Sequence, residues 1–267
     1  LKDLQNLEQA ARRVFGEIVA FDAQPLSDDG SNRSWLVTHD GVRCIGKFPE
    51  QRVGLTIAPG LEYELLQLAA DAGIAPRPVG FDSVTGICFV EELAASAPLS
   101  AQQANQSPIL SRVGQSLRAL HSLSAPESLR SFDPLAFADE YCAGIHGSSL
   151  QTAHALRAEC AVLTAQCAHL LSGVRVCHND LHAGNVLVGE RIWLIDFEYA
   201  VRAAPIVDVA SYLAYNNLET AAALSLAQAS LGTDLPFTET ELQLVAGIHR
   251  LLGELWELAR SDNNASS

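Results

Sequence analysis

The sequence predicts an α+β chain in two unequal parts, a small mostly-β portion over residues 1–92 and a larger, mostly helical portion over 93–267. Three observations lead there. Strand-like apolar runs, punctuated by Asp40-Gly41 and Thr85-Gly86, crowd the first third. Beyond Leu93 the apolar residues recur mostly at the i, i+3, i+4 spacing of amphipathic helices. A length of 267 residues supplies ample chain for a buried core, in one large unit or two small ones.

Leu1, Leu4, Leu7, Ala11, Val14 and Phe15 mark an amphipathic helix at the start. Residues 34–39 and 42–48 are strands joined by Asp40-Gly41, a pair suited to a two-residue hairpin turn. Helical spacing returns over 61–72 and stops at Gly73, a C-cap, with Pro76 beyond. Two more strands, 77–81 and 87–91, flank Thr85-Gly86. Residues 94–98 read as a short linker, followed by Ser100 as an N-cap. Helices are expected over 109–123, 136–144, 150–171, 206–215, 220–230 and 239–260, interrupted by short strands at 185–188 and 192–195. The polar tail 261–267 is expected to be disordered.

Composition narrows the function. Seventeen Lys and Arg against 31 Asp and Glu leave a net charge of −14, which argues against a nucleic-acid or anionic-membrane binder and suits a cationic partner. No run approaches the ~18 apolar residues of a membrane span. The six cysteines are scattered without a C-x-x-C pair; Cys88 and Cys177 sit in apolar runs and read as buried free thiols. Together with a start, Leu1 to Asn6, that lacks the apolar stretch of a signal peptide, this leads us to expect the cytoplasm. The chain contains no methionine.

The chemistry concentrates in Cys177-His178-Asn179-Asp180-Leu181-His182-Ala183-Gly184-Asn185-Val186-Leu187-Val188 and in Ile192-Trp193-Leu194-Ile195-Asp196-Phe197-Glu198-Tyr199-Ala200. An Asp and an Asn five residues apart, before a hairpin leading to a second Asp, are what magnesium-dependent phosphoryl transfer needs. One carboxylate accepts the proton of the attacking hydroxyl, while the amide oxygen and the other carboxylate are hard ligands matched to Mg²⁺. The alternation of His178, Asp180 and His182 also resembles a zinc-hydrolase H-x-D-x-H, but such a site needs further ligands nearby.

His178, Asp180 and Asn185, followed by Ile195-Asp196-Phe197-Glu198, resemble the H-x-D-x-x-x-x-N and I-D-aromatic-E motifs of the kinase-like phosphotransferases, specifically the choline/ethanolamine kinase and aminoglycoside phosphotransferase branch. With Asp208 twelve residues past Asp196, the run looks most like choline kinase and thiamine kinase members. The resemblance implies a bilobal protein-kinase-like fold, ATP and Mg²⁺, with Asp180 as base and Asn185 and Asp196 holding the metal. It further implies that Lys47 pairs the nucleotide phosphates and that Glu62 (Glu64 as fallback) pairs with Lys47. The loop 27–32, with Gly30, Ser31 and Asn32, would cover the phosphates through backbone N–H groups. Glu91 to Leu93 fall where the hinge contacts adenine through its backbone. Asn179 stands where regulated protein kinases carry an arginine and Glu198 replaces the glycine of D-F-G, so a small hydroxylated acceptor is expected rather than a protein.

For the acceptor, the expectation is a small cationic alcohol, choline or ethanolamine first, then thiamine, then an aminoglycoside. A quaternary ammonium wants an aromatic and acidic enclosure. Candidates are Glu198, Tyr199, Tyr215 and Trp256, with Tyr212 beside them, although Trp256 also keeps core spacing with Leu251, Leu252 and Leu255. Glu140 and Tyr141 are read as bordering the entrance and are left without a role. His178 is expected to fix its loop, His182 to be a solvated loop histidine and His121 to cap its own helix. Asp208 is read equally as a structural residue or a substrate contact, and the sequon at Asn32 as accidental. A nucleotide-binding pseudoenzyme is the second class, disfavoured because Lys47, Asp180, Asn185 and Asp196 are all retained.

Overall fold

The computed structural model describes residues 2–26, 34–49 and 56–265. Gly30, Ser31 and Asn32, expected to cover the phosphates, lie outside the described residues, as do Leu1 and the last two residues of the tail.

Helix α1 (Lys2–Phe15) is followed by β1 (Phe21–Pro25), β2 (Ser34–His39) and β3 (Val42–Lys47). After α2 (Pro59–Asp71) come β4 (Pro78–Phe81) and β5 (Cys88–Glu91). The five strands form one antiparallel sheet in the order β1-β2-β3-β5-β4. Asp40 and Gly41 both take positive φ, 46° and 83°, as the hairpin turn requires. Strand β1 has no counterpart in the sequence expectations, because its alternation spans only Phe21 to Gln24 before ending in proline.

Leu7, Ala10 and Ala11 of α1 are buried against the sheet with Val37, Cys44, Ile87 and Phe89. The close approach needs Gly46, whose Cβ would stand 2.7 Å from Leu7 Cδ1. This places α1 directly behind the strand that carries Lys47. Leu65, Leu66 and Ala69 of α2 belong instead to the larger core that runs through the helices.

The remaining chain holds β6 (Ala97–Pro98), α3 (Ala101–Ala104), α4 (Ser107–Leu120), α5 (Pro134–Ala143) and α6 (Leu150–Leu171). Then come β7 (Arg175–Cys177), β8 (Val186–Val188), β9 (Ile192–Leu194), β10 (Val201–Ala203), α7 (Ile206–Tyr215), α8 (Thr220–Leu231) and α9 (Glu239–Ala265). The α+β architecture is as the sequence predicts, and Ser100 caps α3 in a capping box with Gln103. Two expectations need correction. Part of the linker pairs with β8 as β6. The tail is helical to Ala265 rather than disordered, its last turns held by Asp262, which accepts from the His146 amide at 2.8 Å.

The small ladders β6-β8-β9 and β7-β10 bracket the two motif segments. They present residues 178–185 and 195–200 as loops at the ends of short strands, which is what positions the site.

Candidate active site

Both motif loops are pinned from below. Asp208, on the first turn of α7 and fully buried, accepts from the amides of His178 at 3.1 Å and Asn179 at 2.8 Å, and pairs with His121 Nε2 at 2.8 Å. Burial alone would raise the Asp208 carboxyl, but the bonds from His121 and the Asn179 amide hold it below its ordinary value. His121 is the C-cap residue of α4, as expected, and its ring serves this buried carboxylate in addition. His178 Nε2 donates to the Ile195 carbonyl at 2.8 Å and its ring lies 4.8 Å from that of Phe197, tying the first loop to the second. Asn179 and Asp196 sit at positive φ, 66° and 69°, a conformation non-glycine residues hold only where surroundings fix it.

Lys47 Nζ donates to Glu62 Oε1 at 2.8 Å and to Asp196 Oδ1 at 2.5 Å. Burial opposes the lysine charge, yet Asp196, Glu62 and Glu198 together push it well above its ordinary value. Glu64 points into solvent. The Ile57 amide donates to the Glu198 carbonyl at 2.8 Å, fastening the chain before α2 to the segment after Asp196. Asn185 Nδ2 donates to both the carbonyl and Oδ2 of Asp180, each at 2.9 Å. Burial raises the Asp180 carboxyl, against the pull of His182, His178 and the Asn185 bond. His182 Nδ1 accepts from the Gly184 amide at 3.0 Å, which leaves Nε2 as its N–H, 3.8 Å from Asp180 Oδ2.

Two cavities meet at Asp196, which lines both. One, of about 550 Å³, is walled by Ile45, Val90, Leu187 and Ile195, with Lys47 and Glu62 at its polar end; Glu91 and Leu93 also line it. The Glu91 amide donates to Arg77 O at 2.9 Å and is therefore committed within the protein. Cys88 lines the same cavity and is only partly buried, unlike Cys177; burial pushes its thiol up to about 12.

The other cavity, of about 590 Å³, holds Asp180 and Asn185 with Glu198, Tyr199, Tyr215 and Trp256. Trp256 Nε1 donates to Tyr199 Oη at 3.2 Å, and the Arg260 guanidinium lies 5.0 Å from the Trp256 ring. Tyr212 does not join them. It is fully buried and its hydroxyl donates to Ala104 O at 3.1 Å, because it lies one turn before Tyr215 on the core side of α7. Phe137, Tyr141, Asn179 and His249 also line this cavity and were not assigned to it from sequence. The zinc-like alternation is not a cluster, since the His178 and His182 rings engage Ile195 and Gly184 separately.

Residues 22–244 match the family model of the phosphotransferase enzyme family (APH). The chain belongs to this family. It is a phosphotransferase, as the motif resemblance implies. Protein LicA of Haemophilus influenzae is 26% identical over 255 residues, covering 90% of this chain and 74% of that protein. The crystal structure of choline kinase LicA from Streptococcus pneumoniae matches with a TM-score of 0.82 at 18% identity, over 98% of this chain and 92% of that one. LicA in complex with AMP matches with a TM-score of 0.79 at 18% identity, over 97% and 90% of the two chains. At these identities the two structures establish the shared fold. Among the described residues of this phosphotransferase, no helix is long and apolar enough to cross a membrane.

Proposed function

We propose that this enzyme transfers the γ-phosphate of ATP, with Mg²⁺, to the hydroxyl of a small cationic alcohol of the choline or ethanolamine type. The observation that carries the proposal is the meeting of two unlike cavities at Asp196: one apolar with a single lysine, the other aromatic and acidic around Asp180. Complexes of a relative with AMP and the naming of relatives as choline kinases point the same way. We assign residues 1–92 as the nucleotide-binding lobe and 93–267 as the catalytic and acceptor lobe, on the ground that the five-stranded sheet ends at Glu91. All six cysteines are free thiols, which supports a reducing compartment such as the cytoplasm.

In this mechanism Lys47, held by Glu62 and Asp196, neutralises the transferring phosphates. The backbone around Glu91 and Leu93 borders the base. Asp180 receives the proton of the acceptor hydroxyl on Oδ1, since Asn185 and His182 both face Oδ2. The donor chemistry fits Mg²⁺: Asn185 spends its Nδ2 on Asp180, leaving its amide oxygen as the ligating atom in the cavity that Asp196 also lines. When bound, that ion would neutralise charge on the phosphate oxygens. Glu198 and the rings of Tyr199, Tyr215 and Trp256 hold the cationic end of the acceptor. Positioning and charge neutralisation supply most of the rate, because a loose phosphoryl transition state asks little covalent work of the protein.

The test is ADP release with Mg-ATP and a panel of choline, ethanolamine, thiamine and aminoglycosides. Saturable turnover with an amino alcohol supports the proposal. Mg-ATP binding without acceptor-stimulated turnover would favour the nucleotide-binding module instead.

A further inference from the structure

The cavity proposed for a cationic acceptor is lined by a cation of the chain itself. Arg260 is the only lysine or arginine among its described lining residues, in the company of Asp180, Asp196, Glu198 and Glu257. Its guanidinium lies over the Trp256 ring, with Cζ 5.0 Å from the ring centroid. That is inside the roughly 6 Å within which a cation is attracted to an indole face. Arg260 Nη2 also donates to Glu257 Oε2 at 3.0 Å. An aromatic face and a carboxylate are the contacts that hold an ammonium group, and Arg260 makes both.

The local structure accounts for the arrangement. All three residues belong to α9, where side chains three and four positions apart lie next to one another, so Arg260 reaches Glu257 and Trp256 from a single backbone position. The indole is tied at its polar edge, since Nε1 donates to Tyr199 Oη at 3.2 Å. The arginine is held more loosely. The Arg260 and Glu257 side chains are 35% and 57% exposed, and Trp256 is itself only partly buried. An ion pair in water and a cation over a partly exposed ring are each worth only a few-fold in an equilibrium. The guanidinium can therefore swing into solvent and leave the ring and the carboxylate to another cation. Its hydrogen bond is to Glu257 and not to the Asp180–Asn185 pair.

We infer, resting on the cationic acceptor proposed for this site, that Arg260 is a specificity-determining residue that acts by occupation. Its guanidinium stands in the acceptor's ammonium site on Trp256 and Glu257, and an amino alcohol binds by displacing it. Arg260 thus weakens acceptor binding and leaves phosphoryl transfer itself unchanged.

The test compares the wild-type enzyme with Arg260→Gln, which keeps a polar side chain and removes the charge. Two quantities are read: kcat and KM for choline and ethanolamine by ADP release, and Kd for the same two amino alcohols without nucleotide by calorimetry. The expected result is a fall in KM and Kd of about three- to tenfold, with kcat within about twofold of wild type. Arg260→Lys, which restores a cation at the same position, should bring both back toward the wild-type values. Unchanged KM and Kd in Arg260→Gln would put the guanidinium outside the ammonium site and overturn the inference. A rise in either would make Arg260 a residue that holds the acceptor, which overturns it equally. Tighter amino-alcohol binding in Arg260→Gln, with no turnover by either protein, supports the inference and overturns the proposed transfer. Neither amino alcohol binding to either protein overturns both.

Discussion

Asp208 lines neither cavity, yet it holds two amides of the loop that carries Asp180 and the ring of His121. Replacing it by alanine strands two buried N–H groups and a histidine. Asp208→Ala should lower the unfolding free energy by about 3–5 kcal/mol, measured by urea titration, and lower activity with it. Asp180→Ala, by contrast, should leave stability nearly unchanged and reduce kcat by ~10²–10⁴, the usual range for a positioned base. The sequence made Asp180, Asn185 and Asp196 legible because they fall within two short neighbouring motifs, whereas Lys47, alone on its strand, is legible only through the family resemblance. It left Phe137 and His249 unread for a physical reason: they reach the cavity from α5 and α9, and that meeting exists only once distant segments have packed together.

At the scale of elements, the bounds 150–171 and 206–215 match α6 and α7 residue for residue. The three-residue ladder β7-β10 was not legible, since three residues cannot display a period. Helix α4 packs on α8 at Gly114, where a Cβ would stand 2.5 Å from Ala229 Cβ and 2.9 Å from Leu226 O. Gly114→Ala should therefore destabilise by about 1–3 kcal/mol, read from the denaturant midpoint. Helix α1 is clamped through Arg13, whose guanidinium donates twice to Asp82. That bond, with burial opposing it, leads the shift of the Asp82 carboxyl down to about 2. A depressed carboxyl stabilises the fold above its ordinary value, and the contribution is lost as pH falls through about 2. Arg13→Ala should accordingly lower Tm at pH 7, and the gap to wild type should shrink as the solution is acidified toward pH 2.

Across the whole molecule, a net charge of −14 surrounds the site proposed for an anionic nucleotide. Lys47 answers that field locally, with three carboxylates, Asp196, Glu62 and Glu198, raising its hold on the proton. Lys47→Ala should weaken Mg-ATP binding severely, measured by calorimetry, because those carboxylates would then face the phosphates uncompensated. The acidic balance instead suits the cationic partner on the other side of Asp196. On the proposed function, phosphate crosses from one cavity to the other at that residue. That transfer is tested most directly by incubating the enzyme with γ-labelled ATP, Mg²⁺ and ethanolamine and identifying the labelled product by mass spectrometry. The account predicts label on the alcohol oxygen of ethanolamine, lost when Mg²⁺ is chelated and in Asp180→Ala. Label released only as inorganic phosphate, or retained on the nucleotide with every amino alcohol offered, would contradict it.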